Sequence, residues 1–452
     1  MRHLAKRRND LQKVIGSSVA LFANGLPRYR NILASTYPFR GSSHFLHFFG
    51  HCPPGARAAV TDKVSIIFLQ PETPDHEIWH GKSESKEEIL EKTGVDEVLL
   101  VSDLPEFLKS NEKKNYFAIP SLDPVTNVGL RALLGRPPAL NGPDGMLAEA
   151  ISRSRSTHDE FAIEEIRKAA EITEEAFQIG MKISKPGIRE ALIKAEMESF
   201  VSRKGFDQAF RSIVSTNGEV LHNEKSTNTT KEGDLLLVDF GAESPEGYAS
   251  DVTRTWPVSG KFTARQKDIY DLVLSAQKHG ISHVRAGVSF ADIHLAVCYI
   301  LVQGLVDLGL LEGNIETLVD LEVHRAFFPH GLGHLLGLDV HDMEDLGSIA
   351  QNDGTSDFDI QNLRLNRKLE QDMVVTIEPG IYFIPALLDE PEQSKNFEKF
   401  LKRETIEEFR KEVRGIRIED MLLVQEEGVE NLSGNIPKEI SDLEDTLGGA
   451  IQ

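Results

Sequence analysis

The chain has 452 residues and carries 71 acidic against 50 basic side chains, a formal net charge of −21. That length predicts two or three domains with ample material for cores, and the charge argues against nucleic acid or an anionic membrane as the main partner. The two cysteines, Cys52 and Cys298, lie far apart without metal-ligand spacing, which predicts buried, reduced thiols and a cytoplasmic protein.

The basic opening Arg2–Arg8, followed by the fairly apolar Val14–Ala23, has the outline of a signal peptide. Gln12, Lys13 and two serines interrupt it, and Asn24-Gly25 reads better as the turn ending a first strand, Val19–Phe22. No run approaches the roughly 18 apolar residues a membrane span needs. Short apolar strands at Ser65–Leu69, Glu97–Val101 and Tyr116–Pro120 then alternate with helical or polar segments, predicting an α/β domain with a mixed or parallel sheet. Gly135-Arg136-Pro137-Pro138 and the serine-rich Ser152–Thr157 read as a linker region dividing the chain into residues 1–155 and 156–452. Beyond it, Ile163, Ile166, Ala170, Thr173 and Phe177 recur at helical spacing. Pro186-Gly187 breaks that pattern before a second helix through Leu192 and Ala195. Both helices are expected to pack their apolar stripes on a sheet that carries the site.

That sheet is announced by acids in apolar strands. Leu235–Phe240 reads as a buried strand containing Asp239. After a Ser244–Gly247 turn, Tyr248–Thr255 reads as the next strand, so that Asp239 and Asp251 face each other across a hairpin. Val374–Tyr382 places Glu378 at the end of a strand and before a turn, and Gly415–Val424 places Glu419 inside one. Ionised carboxylates in buried strands cost several kcal/mol unless paired or bound to a metal. Between these strands, His330–Asp342 holds three histidines and three glycines in thirteen residues, imidazole being the commonest metal ligand and glycine allowing close backbone approach. One histidine and four carboxylates are too hard and anionic for a lone structural zinc, and suit two divalent ions sharing carboxylates.

In this order, Asp, Asp, His, Glu, Glu, the residues resemble the metallopeptidases of the pita-bread fold, which include methionine aminopeptidase, aminopeptidase P and prolidase. The resemblance spans roughly residues 155–430, and the His330–Asp342 run is similar to the motif of the proline-specific branch. Tyr37–Arg40 and Phe45–Gly50 are similar to the equivalent N-terminal segment of aminopeptidase P. The resemblance implies an α/β N-terminal domain followed by an α+β pita-bread catalytic domain. It also implies that Asp239 chelates one ion, that Asp251 and Glu419 bridge two, and that His334 and Glu378 hold the other, with Glu378 also accepting the proton of the attacking water. His222 and His341 would contact substrate and handle protons, Arg417 would support the site, and His330 would line the pocket. The activity implied is release of an N-terminal residue from Xaa-Pro peptides through a hydroxide held between two ions. Manganese is the expected metal, with zinc or cobalt as alternatives, the assembly a homodimer or homotetramer, and an Xaa-Pro dipeptidase the runner-up activity. After His222 this chain has Asn223-Glu224-Lys225, where an aromatic residue often stands in the family.

The chain also carries features of two other classes. Val238-Asp239-Phe240-Gly241 matches a kinase tetrapeptide, but no glycine-rich phosphate loop precedes it. A metal-free, partner-binding scaffold of the same fold would have lost ligand residues, whereas all five stand here. Residues 344–365 and 385–412 look inserted, the second reading as a charged surface helix.

Overall fold

The computed structural model describes residues 2–451 apart from 33, 73–74, 345, 347–362, 391–394 and 396. The chain forms two units, chiefly Met1–Asp159 and chiefly Glu160–Glu344 with Ala350–Gln452.

In the first unit, the strands across the sheet run Glu97–Leu100, Ser65–Leu69, Arg57–Val60, Val19–Ala23 and Tyr116–Ala118. The inner pairings are antiparallel and the outer two parallel, so the sheet is mixed, as expected. Val19, Leu21, Ala59, Ile66, Phe68 and Ala118 share a core with Leu104 and Leu130 from the flanking helices. Arg57–Val60 escaped the sequence reading because Arg-Ala-Ala-Val has little strand propensity of its own; two flanking strands impose the pairing.

The basic opening forms a helix, Arg2–Ile15, that buries Leu4, Leu11 and Ile15 together with Arg7 and Arg8. Arg7 pairs with Asp159 at 2.8 Å. Arg8 donates to the carbonyls of Phe48, Thr93 and Gly94 at 2.6, 2.9 and 2.6 Å. The last two close the helix Lys86–Thr93, where a cation meets the negative end of the helix dipole. The expected serine-rich linker is instead the end of a helix, Gly145–Ser156, with Ser152, Arg155 and Ser156 buried. Its apolar stripe of Leu147, Ala148 and Ile151 outweighs the loop-like composition of its last turns. Cys52 is only half-buried, against expectation, while Cys298 is buried.

The second unit opens with helices Glu160–Ile183 and Glu190–Arg203, separated at Pro186-Gly187 as predicted. Phe177 meets Phe240 and Trp256 edge-on at 6.4 and 6.3 Å, which seats the first helix on the sheet. That sheet places Leu235–Phe240 between Val252–Pro257 and Ile213–Ser215, all antiparallel. A second ladder runs Val374–Ile377, Asp420–Val424 and Val429–Asn431, and a third pairs Gly380–Tyr382 with Gly415–Arg417.

Helix Phe290–Asp307 packs against Ala264–His283 and, contrary to expectation, is long and apolar enough to cross a membrane by length and composition. Half of it is buried within the fold, and a helix covered on several sides needs apolar residues all round. The 385–412 region is not one helix. Its described parts form Pro385–Leu388, Glu398–Phe400 and Arg403–Phe409, pinned by buried Leu388, Ile406 and Phe409. Most of the 344–365 region lies outside the described residues.

Candidate metal centre

Asp239 is paired across its ladder with Thr253, one residue after the start of Val252–Pro257. Asp251 precedes that strand, so the two aspartates are diagonal neighbours on one face rather than directly opposed. The turn at Ser244–Gly247 forms as predicted, the Gly247 N–H donating to the Ser244 carbonyl at 2.8 Å. Ser250 ties the end of the hairpin to Ala242 and, at 2.7 Å, to Thr173 of the first helix. Gly241 is required there, because a Cβ would fall 1.9 Å from the Ser250 carbonyl oxygen.

The histidine run lies along Val374–Ile377. Thr376 N–H donates to the His334 carbonyl at 3.0 Å, and Glu378 N–H to that of Leu332 at 2.8 Å. A Cβ on Gly333 would fall 2.0 Å from the Thr376 carbonyl oxygen, so glycine alone admits this approach. The pairing sets His334 beside Glu378. Nδ1 of His334 donates to its neighbour's carbonyl, Leu335, at 3.0 Å, which leaves the Nε2 lone pair facing Asp251 at 3.5 Å and Glu378 at 3.6 Å.

Glu419 does not lie inside a strand. It occupies the break between Gly415–Arg417 and Asp420–Val424, which pair with different partners. Its N–H donates to the Thr253 carbonyl at 3.0 Å and its carboxylate accepts from the Thr253 hydroxyl at 2.8 Å. Donor atoms of Asp251, His334 and Glu419 lie within 4.8 Å of one another. Arg417 reaches Asp239 at 2.7 Å, the Thr253 hydroxyl at 3.1 Å and the Tyr382 hydroxyl at 3.1 Å. His330 contacts the same Tyr382 hydroxyl at 2.8 Å.

Asp239, Asp251, His334, Glu378, Glu419, His222, His330, His341 and Arg417 all line one cleft of about 490 Å³. His222 and His341 are exposed at its rim, and the His341 ring lies 4.3 Å from that of His334. Among the contributors without a role in the sequence reading are Thr253, Tyr382 and Arg364, the last from the 344–365 region. Thr253 was detectable in principle, since hairpin register sets it opposite Asp239. Tyr382 and Arg364 carried no such signal.

Burial, then the proximity of Asp239, pushes the Asp251 carboxyl well above its usual range. Burial, then Asp251, does the same to Glu419. Burial, then Glu419, pushes Glu378 up to about 8. Asp239 Oδ1 and Asp251 Oδ1 are buried with no hydrogen-bond partner among the described residues. Packed carboxylates with unsatisfied oxygens and a free imidazole lone pair fit a divalent cation, which would supply the missing partner and the missing charge.

A pH dependence follows. An unfolded glutamate loses its proton near 4.5, whereas folded, metal-free Glu378 keeps it to about 8. Stability of the metal-stripped protein therefore falls as pH rises across that window, because the folded state binds more protons than the unfolded one. The gap in Tm between metal-loaded and chelator-treated protein is expected to widen from pH 5 to pH 8. A constant or narrowing gap by scanning fluorimetry would refute the charge-crowding account.

The fold and this cluster define a metallopeptidase of the pita-bread type. Residues 164–426 match the family described as metallopeptidase family M24, and residues 4–117 match the aminopeptidase P N-terminal domain. The chain belongs to metallopeptidase family M24. It is 32% identical over 448 residues to the Xaa-Pro aminopeptidase of Escherichia coli, covering 95% of this chain and 93% of that one. The Xaa-Pro aminopeptidase of Haemophilus influenzae is 33% identical over 451 residues, with the same two coverages of 95% and 93%. Among solved structures, the aminopeptidase PepP of Pseudomonas aeruginosa superposes with a TM-score of 0.84 at 27% identity, over 100% of this chain and 98% of that one. A zinc-substituted E. coli aminopeptidase P in complex with product superposes at 0.81 with 30% identity, over 99% and 98%.

Proposed function

We propose that this protein is an Xaa-Pro aminopeptidase that uses two divalent ions, manganese first among them, to release the residue preceding a proline. The observation that carries this reading is the convergence of Asp239, Asp251, His334, Glu378 and Glu419 on one cleft, with two of their oxygens unpartnered among the described residues. Asp239, Asp251, His334, Glu378 and Glu419 are the residues that would hold such ions, with Asp251 and Glu419 placed to serve both. When bound, such a pair of ions supplies Lewis acidity that activates water at neutral pH and polarises a scissile carbonyl.

The chain's own groups do the rest. Glu378, at the cleft wall beside His334, is placed to take the proton of the attacking water. Arg417 holds Asp239 in place, and Tyr382 joins Arg417 to His330 across the cleft wall. His222 and His341, at the rim, are placed to contact the peptide, with His222 positioned to help move a proton to the leaving nitrogen.

Proline after the scissile bond has no amide hydrogen and a fixed ring, so recognition relies on shape and apolar contact. Leu221, Pro329 and Leu363 line the cleft beside the polar cluster and suit that task. We further propose that residues 156–452 form the catalytic domain and residues 1–155 a separate α/β domain, in a cytoplasmic homodimer or homotetramer. Peptides, rather than nucleic acid or membrane, are the partners that a net charge of −21 and this cleft favour.

The test compares Xaa-Pro-Xaa tripeptides, Xaa-Pro dipeptides and Xaa-Ala-Xaa tripeptides, each with manganese, zinc and cobalt. The expected result is cleavage of the first set, with Xaa-Ala-Xaa slower by at least about tenfold in kcat/KM, a difference of about 1.4 kcal/mol. Equal rates on proline and alanine peptides would refute the specificity. Cleavage of dipeptides alone would replace the reading by an Xaa-Pro dipeptidase.

A further inference from the structure

A second set of metal-ligating side chains lies apart from the cleft. His294 and Cys298 stand one turn apart on helix Phe290–Asp307, so their side chains project from one face. His324, from the 3₁₀ turn Val323–Ala326, completes the group, and one donor atom from each lies within 4.8 Å of the other two. All three residues are buried, at 4%, 0% and 6% exposure. Nδ1 of His294 and Nδ1 of His324 have no hydrogen-bond partner among the described residues. Two imidazoles and a thiol buried side by side are costly as plain core packing.

We propose that His294, Cys298 and His324 form a structural site for a thiophilic divalent cation, zinc by its chemistry, separate from the catalytic centre. Sγ of Cys298 lies 3.5 Å from Nε2 of His294. With zinc–sulfur and zinc–nitrogen bonds of about 2.3 and 2.0 Å at a tetrahedral angle, a shared ion sets that separation at about 3.5 Å. The donor set is softer than the carboxylate-rich one of the cleft, so the two sites select different ions. On binding, the Cys298 S–H bond breaks and its proton leaves to water as the Sγ–metal bond forms. Both imidazoles would give lone pairs. Burial holds both imidazoles neutral, with His294 down to about 3 and His324 down to about 4, the form that can ligate. Glu322, Arg325 and His330 are the other ionisable groups acting on the three.

The site would brace the cleft from behind. The Phe328 ring lies 5.8 Å from that of His294 and 4.7 Å from that of His330, linking the two places through one aromatic side chain.

Cobalt distinguishes this site from the cleft, because only a thiolate ligand produces a sulfur-to-cobalt charge-transfer band in the near ultraviolet. Full-length protein expressed in cobalt-supplemented, zinc-poor medium is expected to show that band, and Cys298→Ala to lose both the band and one metal ion per chain. Cys52→Ala should keep both. His324→Gln, which retains the thiol, should weaken the band and serves if Cys298→Ala does not fold. A cobalt-loaded wild type without the band, or a band that survives Cys298→Ala, would overturn the proposal and leave the 3.5 Å contact as a thiol–imidazole hydrogen bond.

Discussion

Glu419→Gln is expected to lower kcat/KM by at least about 10²–10³ while leaving the folded structure in place, the scale seen when one preorganised electrostatic group is lost from an active site. The substitution keeps the shape of the side chain, and its remaining carbonyl oxygen can still accept from the Thr253 hydroxyl at 2.8 Å. The negative charge is what disappears. Since the Glu419 carboxyl carries that charge only against a strong burial penalty, its ionised form is the one a cation must hold. Asp251→Asn should behave alike, because Asp251 occupies the same three-residue cluster with His334. Activity assays with saturating metal, paired with elemental analysis and circular dichroism, check the outcome. Full activity in either folded variant would end the assignment of a carboxylate-held metal centre.

Asp420→Ala is expected to cost about 3–5 kcal/mol of stability, the usual penalty for removing one partner of a buried ion pair. Arg254 and Asp420 pair at 2.6 Å with both side chains wholly buried. Asp420 also accepts from Gln277, Asn431 and Ser433 at 2.9, 2.9 and 3.0 Å, and from Lys438. Against the burial that opposes its ionisation, Arg254 and Lys438 hold its carboxyl far below the usual range. Without Asp420 the guanidinium of Arg254 keeps only carbonyl partners, among them Glu419 and Ile436 at 2.5 and 3.1 Å. The backbone of Glu419 would then be held by a guanidinium whose charge is no longer paired, so activity should fall with stability. A drop in Tm on the order of 10 °C is the expected reading for a unit of this size. A shift within about 2 °C would show that neighbouring groups replace Asp420, and that the network is not what fixes this turn.

The distribution of what was legible follows from how far each interaction reaches along the chain. Local signals served well: the Pro186-Gly187 helix break, the Ser244–Gly247 turn and the strand ending before Glu378 depend on neighbours within a few residues. Composition misled where tertiary burial overrode it. Ser152 to Ser156 continue a helix because its other face is covered, and the basic opening is helical because Arg8 finds carbonyl ends supplied by residues 40 to 86 positions away. Cys52 and Cys298 lie too far apart in the chain to suggest a shared site. His294, four residues before Cys298, was a pattern present in the sequence, but His324 joins it through packing alone.

The candidate site divides in the same way. The sequence by itself determined the donor inventory: which acids stand in apolar strands, which histidines follow one another among glycines, and in what order, because a buried charge is costly enough to be visible wherever apolar residues surround it. Only the tertiary structure decided the geometry. Asp239 faces Thr253 rather than Asp251 because antiparallel register, set by the whole ladder, slides the two acids into a diagonal. Glu419 falls in a break because the strands on either side of it pair with different neighbours. Arg417, Tyr382 and His330 meet because one two-stranded ladder and a separate loop converge there, and such convergence leaves no periodic trace along a chain.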